Sequence, residues 1–130
     1  MKYLIKEWDR QDPNLIQDYV SQFDLGEQVD YDADFILAYN NNNELIGIAG
    51  VNTKLKLPQF EHIIIKPEYQ KTLIGVRLMM EIERFLKSKG FDKYVSYILN
   101  TKEYMQEYAL KWKMIPFSYT DIGVWFCKTI

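Results

Sequence analysis

A single cysteine, Cys127, and a single histidine, His62, are all the chain offers of the residues that build disulfides and zinc sites. Neither an internal disulfide nor a metal site rich in His and Cys is expected. Charge of one sign is scarce as well: 16 Lys and Arg stand against 18 Asp and Glu, a formal net charge of −2. No nucleic-acid partner is expected, because counterion release needs a dense basic surface. No apolar run approaches the roughly 20 residues that span a bilayer. The start, Met1-Lys2-Tyr3-Leu4-Ile5-Lys6-Glu7-Trp8, lacks the long uncharged stretch of a signal peptide. The expectation is a soluble chain of the cytoplasm with no membrane partner. What the chain has in quantity is aromatic: 10 Tyr, 7 Phe and 3 Trp, which argues against intrinsic disorder. With 130 residues, 48% of them hydrophobic, the chain suffices for one core and one domain, 1–130.

Hydrophobic spacing divides that domain. Met1–Trp8 reads as a strand. Asp12-Pro13 reads as a helix start, and Leu15, Ile16, Tyr19, Val20 and Phe23 fall on one helical face after it. The segment 24–34 then carries Asp24, Glu27, Asp30, Asp32 and Asp34 with no basic residue. Phe35–Tyr39 and Glu44–Thr53 read as a hairpin around Asn40-Asn41-Asn42-Asn43, since Asn tolerates left-handed dihedrals. Gly47 and Gly50 inside the second strand point to a bulge or a close backbone approach. Leu57–Ile65 is a further strand; its closing run Ile63-Ile64-Ile65 suits burial on both faces. After Pro67 and the polar loop Glu68–Thr72 the period becomes 3.6. Ser88-Lys89-Gly90-Phe91 ends that helix with Gly at the left-handed position. Lys93–Leu99 is a strand, Thr101–Trp112 a helix, and Phe117–Tyr119 with Val124–Thr129 a terminal hairpin. The order β-α-β-β-β-α-β-α-β-β implies an α/β fold: a mixed, twisted sheet of about seven strands with helices on both faces.

The stretch with chemical content runs from Ile63 to Met79, where a buried strand enters a short loop and the loop opens a long helix. A helix start of that kind presents unpaired N–H groups and a positive dipole end, the elements of a phosphate site. Gly75 leaves room there for close approach, and Lys66, Lys71 and Arg77 add positive charge nearby. The residues Ile65-Lys66-Pro67-Glu68-Tyr69-Gln70-Lys71-Thr72-Leu73-Ile74-Gly75 resemble the central motif of the GNAT superfamily of N-acetyltransferases: strand-V-x-P-x-x-Q/R-x-x-G-x-G/A, then a helix. The apolar position, the proline, the glutamine and the second glycine match, and the element order matches over nearly the whole chain. The resemblance implies an acetyl-coenzyme A site and no metal. The pyrophosphate would lie on the amides of Gln70, Lys71, Thr72, Leu73, Ile74, Gly75 and Val76. Pantetheine would pair with the strand edge at Ile63, Ile64 and Ile65. Asn100 stands where many members place an Asn before the last helix, as a pantetheine contact or as a simple helix cap.

Leu73 replaces the motif's first glycine; if that position needed a left-handed dihedral, its Cβ would cost about 1–2 kcal/mol. The family's Y-x-K-x-G-F signature is eroded to Tyr108-Ala109-Leu110-Lys111-Trp112-Lys113-Met114, with Tyr108 or Ala109 at the tyrosine position. The resemblance implies direct attack of a primary amine, on a small molecule or a protein, upon the thioester. Glu61 is the candidate base and Tyr108 the candidate acid, with Tyr104 as a lesser alternative. Each has a plainer reading: Glu61 as a solvated strand residue, and the two tyrosines as a core-facing stripe. His62 alternates to the face opposite Glu61 and reads as a surface or core histidine. The acidic run borders the acceptor site in the family and points to a cationic amine. The erosion at both ends keeps a second reading open, a GNAT-like module that binds or assembles without catalysis. Exposed aromatics on the terminal hairpin would suit a homodimer.

Overall fold

The computed structural model describes residues 3–23 and 28–130. Seven strands, β1 (Leu4–Glu7), β2 (Asp34–Tyr39), β3 (Leu45–Asn52), β4 (Gln59–Ile65), β5 (Lys93–Leu99), β6 (Ile115–Tyr119) and β7 (Gly123–Thr129), alternate with three helices, α1 (Leu15–Val20), α2 (Ile74–Ser88) and α3 (Glu103–Lys111). They form one mixed sheet in the order β1-β2-β3-β4-β5-β7-β6. Every neighbouring pair is antiparallel except β4 and β5. That parallel pair needs a crossover, and α2 supplies it.

Alternation along the strands feeds two cores. Phe35 and Leu37 of β2 pack with Ile16, Tyr19 and Val20 of α1 on one face. Ile36 and Ala38 pack with Ile74, Leu78, Ile82 and Leu86 of α2 on the other, together with Ala109 of α3. Helices on both faces are what the two-sided apolar strands require. Gly47 makes the α2 contact possible, since a Cβ there would stand 3.1 Å from Leu78 Cδ1.

The terminal turns follow from local chemistry. Asn40 Oδ1 accepts the N–H groups of Asn42 and Glu44, and Asn43 takes φ 61°. Gly90, at φ 89°, ends α2 in a Schellman motif: Phe91 N–H bonds the Leu86 carbonyl and Gly90 N–H that of Lys87. One helix is shorter than its apolar spacing implies. Asp12 Oδ1 caps the N–H of Asn14, but only a turn forms there, and α1 begins at Leu15 and ends at Val20.

Two irregularities shape the middle of the sheet. Gly50 pairs with His62 and Val51 with Phe60, so Glu61 is an extra residue in β4, a β-bulge. Strict alternation would put Phe60 and Ile64 on one face; the bulge sends Phe60 to the α2 core and Ile64 to the α1 core. Gly50 lies opposite the bulge because Phe35 leaves no space, its ring carbon 2.7 Å from where a Cβ would sit. Beyond it β4 and β5 separate. Their one ladder pair is Gln59 with Val95, where Val95 N–H bonds the Pro58 carbonyl at 2.9 Å.

Candidate active site

The gap between the diverging strands is a cavity of about 160 Å³, walled by β4, β5 and α3 and reaching Glu61, Ile63, Tyr97, Met105 and Tyr108. The hydrogen-bond register shows which backbone groups face it. Lys66 N–H bonds the Ile46 carbonyl, so β4 residues of even number turn toward β3 above the bulge. Ile63 and Ile65 therefore turn their N–H and C=O groups into the gap, and Ile64 does not. The Ile64 carbonyl is instead held by the buried Tyr19 hydroxyl at 3.0 Å. The same count on β5 directs Tyr97 and Leu99 into the gap, since Asn100 N–H bonds the Ile122 carbonyl.

At the open end of the gap lies the start of α2. Gln70 folds back and donates Nε2 to the Ile65 carbonyl at 3.1 Å, tying loop to strand. Thr72 Oγ1 reaches the N–H of Ile74 at 3.4 Å, while its own hydroxyl donates to the Tyr69 carbonyl. Among the described residues no protein acceptor bonds the N–H groups of Lys71, Leu73, Gly75 or Val76. Gly75 is buried, so its N–H is an orphan donor in a sheltered place. Leu73 adopts φ −80° and leaves its side chain 72% exposed. Neither a left-handed dihedral nor a plug over the amides results from the missing glycine. A Cβ at Gly75 would meet Ile65 Cδ1 at 3.2 Å and the Tyr108 hydroxyl at 3.6 Å. The strand end, the helix start and Tyr108 thus converge on one point.

Glu61, carried by the bulge, sits at the inner end. Its side chain is 16% exposed, and its Oε2 is buried with no hydrogen-bond donor, 3.8 Å from His62 Nε2. Burial, and then hydrogen bonding and repulsion from the Asp30 carboxylate, push the Glu61 carboxyl up to about 7. Burial also raises Tyr108, which keeps that hydroxyl protonated. On the far side of Glu61 a second, open pocket of about 600 Å³ is lined by Asp30, Tyr31, Asp32, Gln59, His62 and Tyr97. Glu61, His62 and Tyr97 border both spaces.

The structure thus brings Glu61, Ile63, Ile65, Gly75 and Tyr108 to one cleft, with the amides of Lys71, Leu73 and Val76 at its rim. The aromatic spacing of α3, which suits a core-facing stripe, forms a cleft wall instead. Tyr104 is exposed, Tyr108 half-buried, and the buried residue of the helix is Ala109. Asn100 does not cap α3. Its Oδ1 accepts from Gln106 Nε2 at 3.0 Å and its Nδ2 reaches the Asp121 carbonyl at 3.4 Å. Of the acidic run, Asp24 and Glu27 lie outside the described residues; Asp34 bonds Thr53 and pairs with Arg10. In sequence Asp30 stands out only as one of the acidic run, and Tyr97 carries no motif that would single it out. Among the described residues, no group of three or more His, Cys, Asp or Glu could hold a metal ion. No helix there is long and apolar enough to cross a membrane.

Comparison with known proteins agrees with this geometry. The PaiA N-acetyltransferase of Thermoplasma acidophilum, solved with coenzyme A, superimposes with a TM-score of 0.79 at 16% identity over 100% of both chains. The ribosomal-protein-S18-alanine N-acetyltransferase of Escherichia coli gives 0.79 at 11% identity, over 99% of this chain and 94% of its own. A GNAT acetyltransferase of Elizabethkingia anophelis with acetyl-CoA bound gives 0.73 at 15% identity, over 98% of each chain. At such identities the likeness is one of fold. No curated protein sequence matches. The model of the acetyltransferase (GNAT) family matches residues 2–112, and the chain belongs to that family.

Proposed function

We propose that the protein is an N-acetyltransferase that uses acetyl-CoA to acetylate a primary amine, and that a cationic amine is its acceptor. The observation that carries the reading is the cluster of unbonded amides at Lys71, Leu73, Gly75 and Val76 at the start of α2. Such N–H groups beside a helix dipole suit a diphosphate. The outward groups of Ile63 and the N–H of Ile65, whose carbonyl Gln70 engages, suit the amides of pantetheine, as an added strand would. Gln70 shapes the loop through the Ile65 carbonyl, and Thr72 and Ile74 complete the turn. Ile64 and Asn100 act by holding strand and turn, since their polar groups are already engaged.

Acetyl-CoA supplies the acetyl thioester. Glu61 takes a proton from the acceptor ammonium, which leaves a neutral amine able to attack; a base near neutrality suits that task at pH 7. The N–C bond forms as the C–S bond breaks; the Tyr108 hydroxyl gives its proton to the leaving sulfur, and the acylated nitrogen sheds its remaining extra proton through solvent, which restores the Tyr108 hydroxyl. Asp30 and Asp32 line the open pocket on the acceptor side of Glu61 and favour a cation there. A cytoplasmic location and a homodimer through the exposed Ile115, Phe117 and Tyr119 belong to the same reading. Pro116 and the bulge at Phe117 blunt the β6 edge, so the sheet face would make that contact.

Thiol release from acetyl-CoA, measured against a panel of diamines, amino acids and N-terminal peptides, tests the reading. Turnover should appear with cationic amines and fall about 100-fold in Tyr108→Phe, with little change in the KM for acetyl-CoA. Binding of coenzyme A without turnover on any amine would favour the alternative, a family member that binds without catalysis. The same Tyr108→Phe rate as wild type would remove Tyr108 as the acid.

A further inference from the structure

Asp30, one of the acidic run, is fixed at both carboxylate oxygens and at its backbone nitrogen. Its Oδ1 accepts the Asp32 N–H at 3.0 Å, and its Oδ2 lies 3.4 Å from Asn52 Nδ2. Its own N–H donates to His62 Nε2 at 3.2 Å, so that nitrogen is unprotonated and the imidazole presents an acceptor to the loop. Strand β3, strand β4 and the loop thus hold one carboxylate on the same side as Glu61: His62 Nε2 lies 3.2 Å from the Asp30 nitrogen and 3.8 Å from Glu61 Oε2, and both acids line the open pocket. We infer that Asp30 is a positioning residue: its carboxylate pairs with Glu61 and sets when that base is free to take a proton from the acceptor amine. The inference rests on the acetyltransferase reading for its purpose, but not for its geometry.

Two carboxyl groups in contact cannot both ionise cheaply, so one proton is retained between them. Asp30 accepts from the Asp32 N–H and faces Asn52 Nδ2, whereas Glu61 Oε2 has no donor, so Glu61 is the carboxyl that is raised. Among the described residues, the other titratable groups around Glu61 do not replace this pairing. Asp32 and Tyr31 line the open pocket from the same loop, and Tyr97 faces it from β5. His62 stands beside it with Nε2 acting as an acceptor. Lys102, Tyr104 and Tyr108 line the cavity on the α3 side. Because Glu61 borders both spaces, the pair lies where an acceptor nitrogen would meet the thioester.

The test is a carboxyl-carbon NMR titration of Glu61 in the free protein, assigned by its loss in Glu61→Gln, in wild type and Asp30→Asn. Asparagine keeps an oxygen for the Asp32 N–H; Asp30→Ser does the same if the first variant fails to fold. The Glu61 midpoint should fall by about one pH unit or more in either variant and stay high in Asp30→Glu. The acidic limb of kcat/KM for the amine should move by the same amount, with the KM for acetyl-CoA unchanged. A Glu61 midpoint unmoved in a folded Asp30 variant would overturn the inference, even if acetylation proceeds. A shifted midpoint with no amine acetylated would instead leave the pair standing and remove the acetyltransferase reading.

Discussion

Leu73 and Gly75, two residues apart, behave oppositely at the loop that opens α2. Leu73 sits at φ −80° with an exposed side chain, so it tolerates exchange. Leu73→Ala should change stability by less than about 0.5 kcal/mol and leave coenzyme A affinity within twofold, as calorimetry and denaturant titration can show. Gly75→Ala gains helix propensity, about 1 kcal/mol, against a contact of 3.2 Å with Ile65 that must relax. Its melting temperature should therefore stay within a few degrees of wild type. The added methyl would stand 3.6 Å from the Tyr108 hydroxyl on the residue that carries the orphan N–H, so affinity for coenzyme A should drop about tenfold or more. Equal affinity in both variants would mean that the ligand does not approach Gly75. The motif revealed Gly75, Gln70 and Pro67 in sequence because each answers a local backbone demand. That Leu73 takes an ordinary dihedral and points outward could not be read there: it depends on the 3₁₀ turn at Pro67–Tyr69 and the helix behind it.

Between elements, one carboxylate oxygen does much of the fastening. Glu83 Oε2 on α2 accepts from the Tyr94 hydroxyl of β5 at 2.7 Å, Trp112 Nε1 after α3 at 2.8 Å and Lys128 Nζ of β7 at 2.7 Å. Lys128 also lies 4.3 Å from the centre of the Trp112 ring. Tyr94 is fully buried, so removing the acceptor strands its hydroxyl. Glu83→Ala should lose about 2–4 kcal/mol of stability in urea unfolding, with Glu83→Gln losing less. A loss below about 0.5 kcal/mol would show that solvent replaces the carboxylate. Since α3 carries Tyr108 and buries little besides Ala109, this anchor also holds one wall of the cleft. Element order was legible from spacing, and the end of α2 from its Schellman motif, whereas α1 closes before its last apolar position, Phe23. The Glu83 network and the meeting of Asp30 and Glu61 around His62 were not. Both join residues far apart in sequence through side-chain atoms, and no periodicity records such a meeting. The bulge was half legible: Gly50 marked the place, but the extra residue lies in the facing strand.

At the scale of the whole molecule, the cleft costs stability in a pH-dependent way. Glu61 is raised from the ordinary 4.5 to about 7 in the folded chain, so the folded state binds more protons than the unfolded one between those values. Stability contributed through this group therefore falls as pH climbs from 4.5 to 7 and stays low above. Glu61→Gln removes that dependence. Its melting temperature should exceed wild type at pH 8 and approach it near pH 4.5, measured by scanning calorimetry at matched ionic strength. A constant difference at both pH values would place Glu61 in an ordinary solvated state and weaken its role as base.

The central claim concerns the start of α2 and can be observed atom by atom. Titrating ¹⁵N-labelled protein with coenzyme A should move the amide protons of Leu73, Gly75 and Val76 strongly downfield, as expected for N–H groups that acquire an anionic acceptor. The shifts should saturate with one ligand per chain and weaken as salt rises. If those amides stay in place at millimolar coenzyme A while others respond, the ligand lies elsewhere and the account of this cleft is wrong.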